Sequence, residues 1–131
     1  MLEETLDQVL MEFSTAGVEA VILDASINFG GYDRAARAVA ARFTDRPVSV
    51  YAKEASDARA PIRTRVRVDP AKGPRFTGPV WRVTTDATVS AGEILTMALR
   101  AMPNVSHVGQ PTAGALSDVM EKTLPNGWVL G

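Results

Sequence analysis

The run Val18-Glu19-Ala20-Val21-Ile22-Leu23-Asp24-Ala25-Ser26-Ile27-Asn28-Phe29-Gly30-Gly31 decides how this chain is read. Residues 18–24 are mostly apolar and β-branched, the composition of a strand covered on both faces, as in a parallel sheet. Asn28 and the Gly30-Gly31 pair mark the turn that follows. Over residues 32–43, Tyr32, Ala35, Ala36, Val39, Ala40 and Phe43 form one apolar helical stripe, with Arg34, Arg37 and Arg42 largely off it. After Pro47, residues 48–51 read as another short strand. The order β-α-β predicts a right-handed crossover and a mainly parallel or mixed sheet, hence an α/β fold.

Upstream, residues 2–16 read as an amphipathic helix, with Leu6, Val9, Leu10 and Phe13 on one face and Gly17 as its stop. Glu3, Glu4 and Asp7 lie where the helix dipole favours negative charge. Downstream, Ile62, Thr64, Val66 and Val68 alternate with Arg63, Arg65 and Arg67, a period-two pattern. Two readings are open for that arginine face: a solvated edge strand that resists further pairing, or an anion-binding strip. Residues 79–85 read as a strand. A helix then starts near Val89 or Ser90, buries Ile94, Leu95, Ala98, Leu99 and Met102, and stops at Pro103. Residues 105–109 form a further strand and residues 111–115 a loop. Residues 119–124 and 128–130 read as two strands joined by a tight Pro125-Asn126-Gly127 hairpin.

The chain has 131 residues, 46% hydrophobic and 22% charged, which suits one domain with a real core. Fourteen basic and fifteen acidic side chains leave a formal charge of −1, so nothing electrostatic points to nucleic acid. There is no cysteine and one histidine, which excludes disulfides, thiolate chemistry and any multi-histidine metal site within one chain. No apolar run is long enough for a membrane-inserted helix. The acidic Met1-Leu2-Glu3-Glu4 start reads as no export signal, and the compartment stays open. Gly131 follows a strand that has only begun. The expectation is therefore a single core domain over residues 1–131, part of a longer protein.

Chemistry concentrates in two strand-to-helix turns, residues 24–31 and 85–93, because parallel α/β sheets bind ligands at the carboxyl ends of strands. Ser90 at a helix start is either an N-cap or a nucleophile beside backbone N–H groups able to hold an oxyanion. Gly30 and Gly31 either provide a turn that needs positive φ or aim an N–H at a substrate carbonyl. Glu93, three residues after Ser90, has capping-box spacing.

Four segments in order resemble those of the S41 serine peptidases, the tail-specific or C-terminal-processing proteases with their tricorn-like and retinoid-binding-protein-like relatives. They are Val21-Ile22-Leu23-Asp24 through Asn28 and Gly30-Gly31; Thr88-Val89-Ser90-Ala91-Gly92-Glu93; Val108-Gly109-Gln110-Pro111-Thr112-Ala113-Gly114; and Leu124-Pro125-Asn126-Gly127-Trp128. The resemblance runs from about Val18 to the end. It implies a ClpP/crotonase-like ββα superhelix and a serine-type peptidase acting on a peptide or protein substrate. It also implies Ser90 as nucleophile and Ala91 N–H with Gly30 or Gly31 N–H as oxyanion hole, with no metal and no cofactor.

The departures concern the general base. Processing proteases of the family place a lysine where this chain has Ala115, and the tricorn-like branch uses a histidine upstream of the glycine turn and a distant glutamate. The family's Asp-Leu-Arg is here Asp24-Ala25-Ser26. His107, on a strand, reads as structural rather than as that base, and Lys122 as a solvated charge. Asp118 and Glu121 show no distinctive partner. The expectation is a core domain whose base comes from outside this segment. The alternative is an inactive module of the same fold that binds peptides or apolar ligands.

Overall fold

The computed structural model describes residues 1–55, 62–116 and 121–130. Helix α1 spans Leu2–Thr15 and ends as its glycine predicts. Gly17, at φ +65°, lets its N–H reach Ser14 O at 3.3 Å and that of Val18 reach Phe13 O at 3.0 Å, a Schellman closure. Strand β1 (Val21–Asp24) leads through the glycine turn into α2 (Asp33–Ala40) and a 3-10 turn (Ala41–Phe43). Strands β2 (Val48–Ala55) and β3 (Ile62–Val68) follow, then β4 (Val80–Thr84), α3 (Ala91–Arg100) and β5 (Val105–Gly109). The two-residue strands β6 (Lys122–Thr123) and β7 (Val129–Leu130) close the described chain.

The strand pairing corrects one expectation. The segment after α2 does not join β1. Instead β2 and β3 form their own antiparallel hairpin, and the parallel sheet has the order β1-β4-β5. The true β-α-β unit is β4-α3-β5, while β1 takes β4 as its neighbour, with Val21 opposite Val80 and Asp24 opposite Val83. Short apolar strands advertise that they pair, not with which partner.

A second correction concerns coverage. Helices α2 and α3 pack together on one face of the sheet, around Val21, Val80, Ala36, Ala40, Ala98 and Leu99. Alanines at the helix contacts, with Ala40 and Ala98 at 0% exposure, let the two helices approach closely. The other face of the described sheet is bare: Ile22 is 72% exposed and its neighbour Trp81 40%. Strand β1 therefore alternates, rather than being buried on both sides.

The predicted face of α3 is buried throughout, Met102 included. Strand β5 has the expected bounds. Arg42, placed off the α2 stripe, lies at 2% exposure and pairs with Asp7 of α1, tying helix to helix. Arg63, Arg65 and Arg67 are exposed, and Arg67 pairs with Asp69 at 2.9 Å, the solvated-strand reading. The Pro125-Asn126-Gly127 loop forms as a three-residue hairpin: Gly127, at φ +84°, donates to Leu124 O at 2.9 Å, and Leu124 N–H donates to Trp128 O at 2.7 Å. The predicted start of its first strand, and Asp118, lie outside the described residues.

Candidate active site at the Ser90 turn

The two turns singled out in the sequence meet. Thr85 and Thr88, neither read as important from sequence, are the fasteners: Thr85 Oγ1 donates to Ser26 O at 2.6 Å and Thr88 Oγ1 to Ala25 O at 2.7 Å. Val89 N–H donates to Asn28 O at 2.9 Å. Two threonines three residues apart around a turn are the only sequence signal these roles leave.

Ser90 is the N-cap of α3, but not in an N-cap's conformation. Its φ is +52° and ψ −124°, and among the described residues it is the one non-glycine with positive φ. Such a backbone costs about 1–3 kcal/mol and persists where the surroundings over-determine it. Glu93 makes the capping-box contact that its spacing predicts, reaching back to the Ser90 backbone. The Ser90 N–H is thus held from two sides, by Ala115 O at 2.9 Å and Glu93 Oε2 at 3.2 Å.

Gly30 explains itself sterically. Its φ is +96°, and a Cβ there would lie 2.7 Å from Ser90 Cβ and 3.0 Å from Ser90 Oγ. Gly92 gives the same close approach to Asn28, whose Oδ1 would stand 2.8 Å from an added Cβ. Gly30 thus lies against the serine, whereas a Cβ added at Gly31 would meet nothing within 4 Å. The two glycines are not equivalent as donors. Gly30 N–H is taken by Asn28 Oδ1 at 3.0 Å, whereas Gly31 N–H and Ala91 N–H have no acceptor among the described residues.

Glu93 does more than support the helix start. At 2% exposure, it spends one carboxylate oxygen on Ser90 N–H and the other on Gly114 N–H at 2.7 Å. With Ala113 N–H donating to Thr88 O at 3.2 Å, it fastens the segment after β5 to the serine turn. Ala115 is therefore beside Ser90, as its place in the family pattern implied, and its methyl offers no base.

His107 is engaged elsewhere. Its Nε2 lies 2.5 Å from Thr84 Oγ1, and that hydroxyl gives its single proton to Gln110 O at 2.7 Å. This assigns the His107 proton to Nε2, as donor to Thr84. Burial first, then the charges of Arg82 and Arg100, hold the imidazole below its usual pKa. Lys122 and Glu121 are exposed near the β6–β7 hairpin. No group of three or more metal-ligating side chains gathers among the described residues, and no helix there is long and apolar enough to cross a membrane.

Together, fold and turn define an α/β domain that holds a strained serine, at a strand-to-helix junction, against Gly30. The chain belongs to peptidase family S41, whose family model matches residues 2–131. Its fold is shared with a putative peptidase from Parabacteroides merdae (24% identity, TM-score 0.84, 97% of this chain and 41% of that one). It is likewise similar to a photosystem II D1 C-terminal processing protease (25% identity, TM-score 0.77, 96% and 31%). A third solved relative is mature CPAF complexed with lactacystin (16% identity, TM-score 0.80, 94% and 36%). This chain thus spans well under half the length of each. No curated protein matches it in sequence. The fold is of the ClpP/crotonase type, and the domain is peptidase-like.

Proposed function

We propose that the chain is the nucleophile-bearing core of a serine-type peptidase that cleaves peptide bonds of a peptide or protein substrate. Ser90 Oγ attacks the scissile carbonyl carbon, and its proton passes to a base supplied from outside these 131 residues. The oxyanion is received by Ala91 N–H and by Gly31 N–H. Gly30, the other candidate, has its N–H committed to Asn28 and serves instead as the surface against which Ser90 is held.

The observation that carries this reading is the Ser90 backbone. An N-cap needs an extended backbone, whereas Ser90 holds a positive φ despite the capping-box contact of Glu93 with its N–H, and strain of that kind at a strand-to-helix junction is the mark of a nucleophile turn. A serine with no base is a poor nucleophile, so the isolated chain is expected not to degrade unfolded casein at neutral pH. The test is labelling of the intact protein by a fluorophosphonate, with Ser90→Ala as control. Labelling of folded wild type that is lost in the variant supports the reading; a folded protein that never labels sinks it. That second outcome would favour a silent peptide-binding module, the reading that the alanine at position 115 suggests.

A further inference from the structure

Two arginines are buried among the described residues, and only one has a carboxylate. Arg42 pairs with Asp7 and also donates to Pro74 O at 3.2 Å and Glu3 O at 3.4 Å. Arg82, at 0% exposure on β4, gives Nη1 to Thr96 O and leaves Nε and Nη2 without a partner. A buried guanidinium lacking a counter-charge is disfavoured by several kcal/mol in a folded protein. Arg82 lines a cleft of about 480 Å³ between α3, β5 and the segment after it, shared with Glu93, Thr96, Arg100 and His107. Arg100 is exposed and makes no ion pair among the described residues.

Geometry and charge select the ligand. Nε–H and an Nη2–H point in parallel from one edge of the planar guanidinium, the edge that receives both oxygens of a single carboxylate. Among the described residues Glu93 is the one carboxylate lining the cleft, and both its oxygens already accept backbone N–H groups. Two guanidinium charges against that one carboxylate leave a single positive unit. A monoanionic carboxylate balances it; a phosphate dianion overshoots. His107 adds no charge while neutral, and its Nε2–H is committed to Thr84.

We propose that this cleft is a carboxylate-binding site, with the carboxylate seated on the Nε/Nη2 edge of Arg82 and Arg100 as its second contact. The cleft shares Glu93 with the serine turn, but its proposed ligand contacts, Arg82 and Arg100, are no part of the proposed oxyanion hole.

The experiment is a thermal-shift and calorimetric titration of the intact protein at constant ionic strength. The probes are acetate, an acetylated tripeptide with a free C-terminal carboxylate, its C-terminal amide, chloride and inorganic phosphate. Acetate and the peptide acid are expected to raise Tm saturably, with the amide and chloride silent. Arg100→Gln should weaken carboxylate binding about tenfold, as loss of a charge-assisted contact does. Arg82→Met should abolish binding while melting no lower than wild type without anion, because an apolar side chain replaces an unpaired charge. A peptide acid that binds more tightly than acetate identifies a chain terminus as the source; equal affinity identifies a free acid. The proposal is overturned if neither carboxylate shifts wild type saturably, if phosphate binds more tightly than acetate, or if Arg100→Gln responds as wild type does. That last arm stands even if Arg82→Met fails to fold. Fluorophosphonate labelling of Ser90, read in parallel, keeps failure here distinct from failure of the peptidase reading.

Discussion

The turn after β1 takes its positive φ on glycines, Gly30 at +96° and Gly31 at +143°; the turn after β4 takes it on Ser90 at +52°. The first turn is loose at its surface, with Ile27, Phe29 and Tyr32 each about three-quarters exposed. The second is pinned, with Thr88 at 0% exposure and hydrogen bonds to Ala25, Asn28 and Ala115 around it. Glycine adopts positive φ without a steric penalty, so a turn that only has to turn uses it. A turn that must present a hydroxyl cannot, and the strain has to be held by neighbours. The difference separates the part that shapes the site from the part proposed to react.

The largest effect is expected where the two turns touch. Gly30→Ala puts a methyl on Ser90 Cβ and Oγ and forces an alanine to φ +96°. Strain and overpacking together should destabilise the protein by roughly 3 kcal/mol. Urea denaturation measures this, and fluorophosphonate labelling should fall with it. A loss under about 0.5 kcal/mol, the level of an ordinary surface change, would show that the close approach is not needed.

Next comes the clamp on the second turn. Glu93→Gln keeps size but offers one acceptor oxygen where two backbone N–H groups need one each. Ser90 N–H keeps Ala115 O as its other acceptor, so the loss is that of one charge-assisted hydrogen bond, about 2 kcal/mol. The amide exchange of Gly114 should accelerate in the variant; unchanged protection there would dismiss Glu93 as the fastener of the segment after β5.

Ser90→Gly has the opposite sign. It removes a strain of about 1–3 kcal/mol and adds glycine's entropic penalty of roughly 0.5–1 kcal/mol, so a net gain of about 1 kcal/mol is expected. Ser90→Ala, which keeps a Cβ, should gain nothing. Equal melting of the two variants would mean that the Ser90 backbone is unstrained.

What the sequence disclosed and what it hid follow the same division. The stripe of α3 was legible because Ile94, Leu95, Ala98, Leu99 and Met102 repeat at helical spacing and all are buried. That the turns of Gly30 and Ser90 belong together was legible because local motifs carry them. Pairing was not, because the β2–β3 hairpin intervenes between β1 and β4, and apolar patterns do not encode which strand lies beside which. The inward direction of Arg82 was hidden by residue type: along β4, Val80, Arg82 and Thr84 face in while Trp81 is 40% exposed. Hydrophobicity suggests the reverse assignment. Arg42 was misplaced for the same reason, since its carboxylate partner Asp7 lies on another helix. Buried charges are set by tertiary partners, and a single sequence does not name them.

The smallest effect probes the root of the pinned turn, where Thr84 ends β4 and joins His107 to Gln110. Burial first, then Arg82 and Arg100, hold His107 below its ordinary pKa of 6.5. Between the folded value and 6.5 the unfolded chain binds more protons than the native one, so stability rises with pH across that interval. Acidification from pH 7.5 into this window should therefore lower stability, and the loss should level off once the folded histidine is also protonated. Asp24, held below its ordinary 3.8 by hydrogen bonds from Ser26, adds a loss of the same sign only at more acidic pH. His107→Gln has no imidazole to titrate, and its amide N–H can still reach Thr84. Urea midpoints of wild type and variant, measured from pH 7.5 to 5.5, should converge as the pH falls. Parallel profiles would show that His107 does not titrate differently in the folded protein, and that the guanidinium charges beside it are screened by solvent.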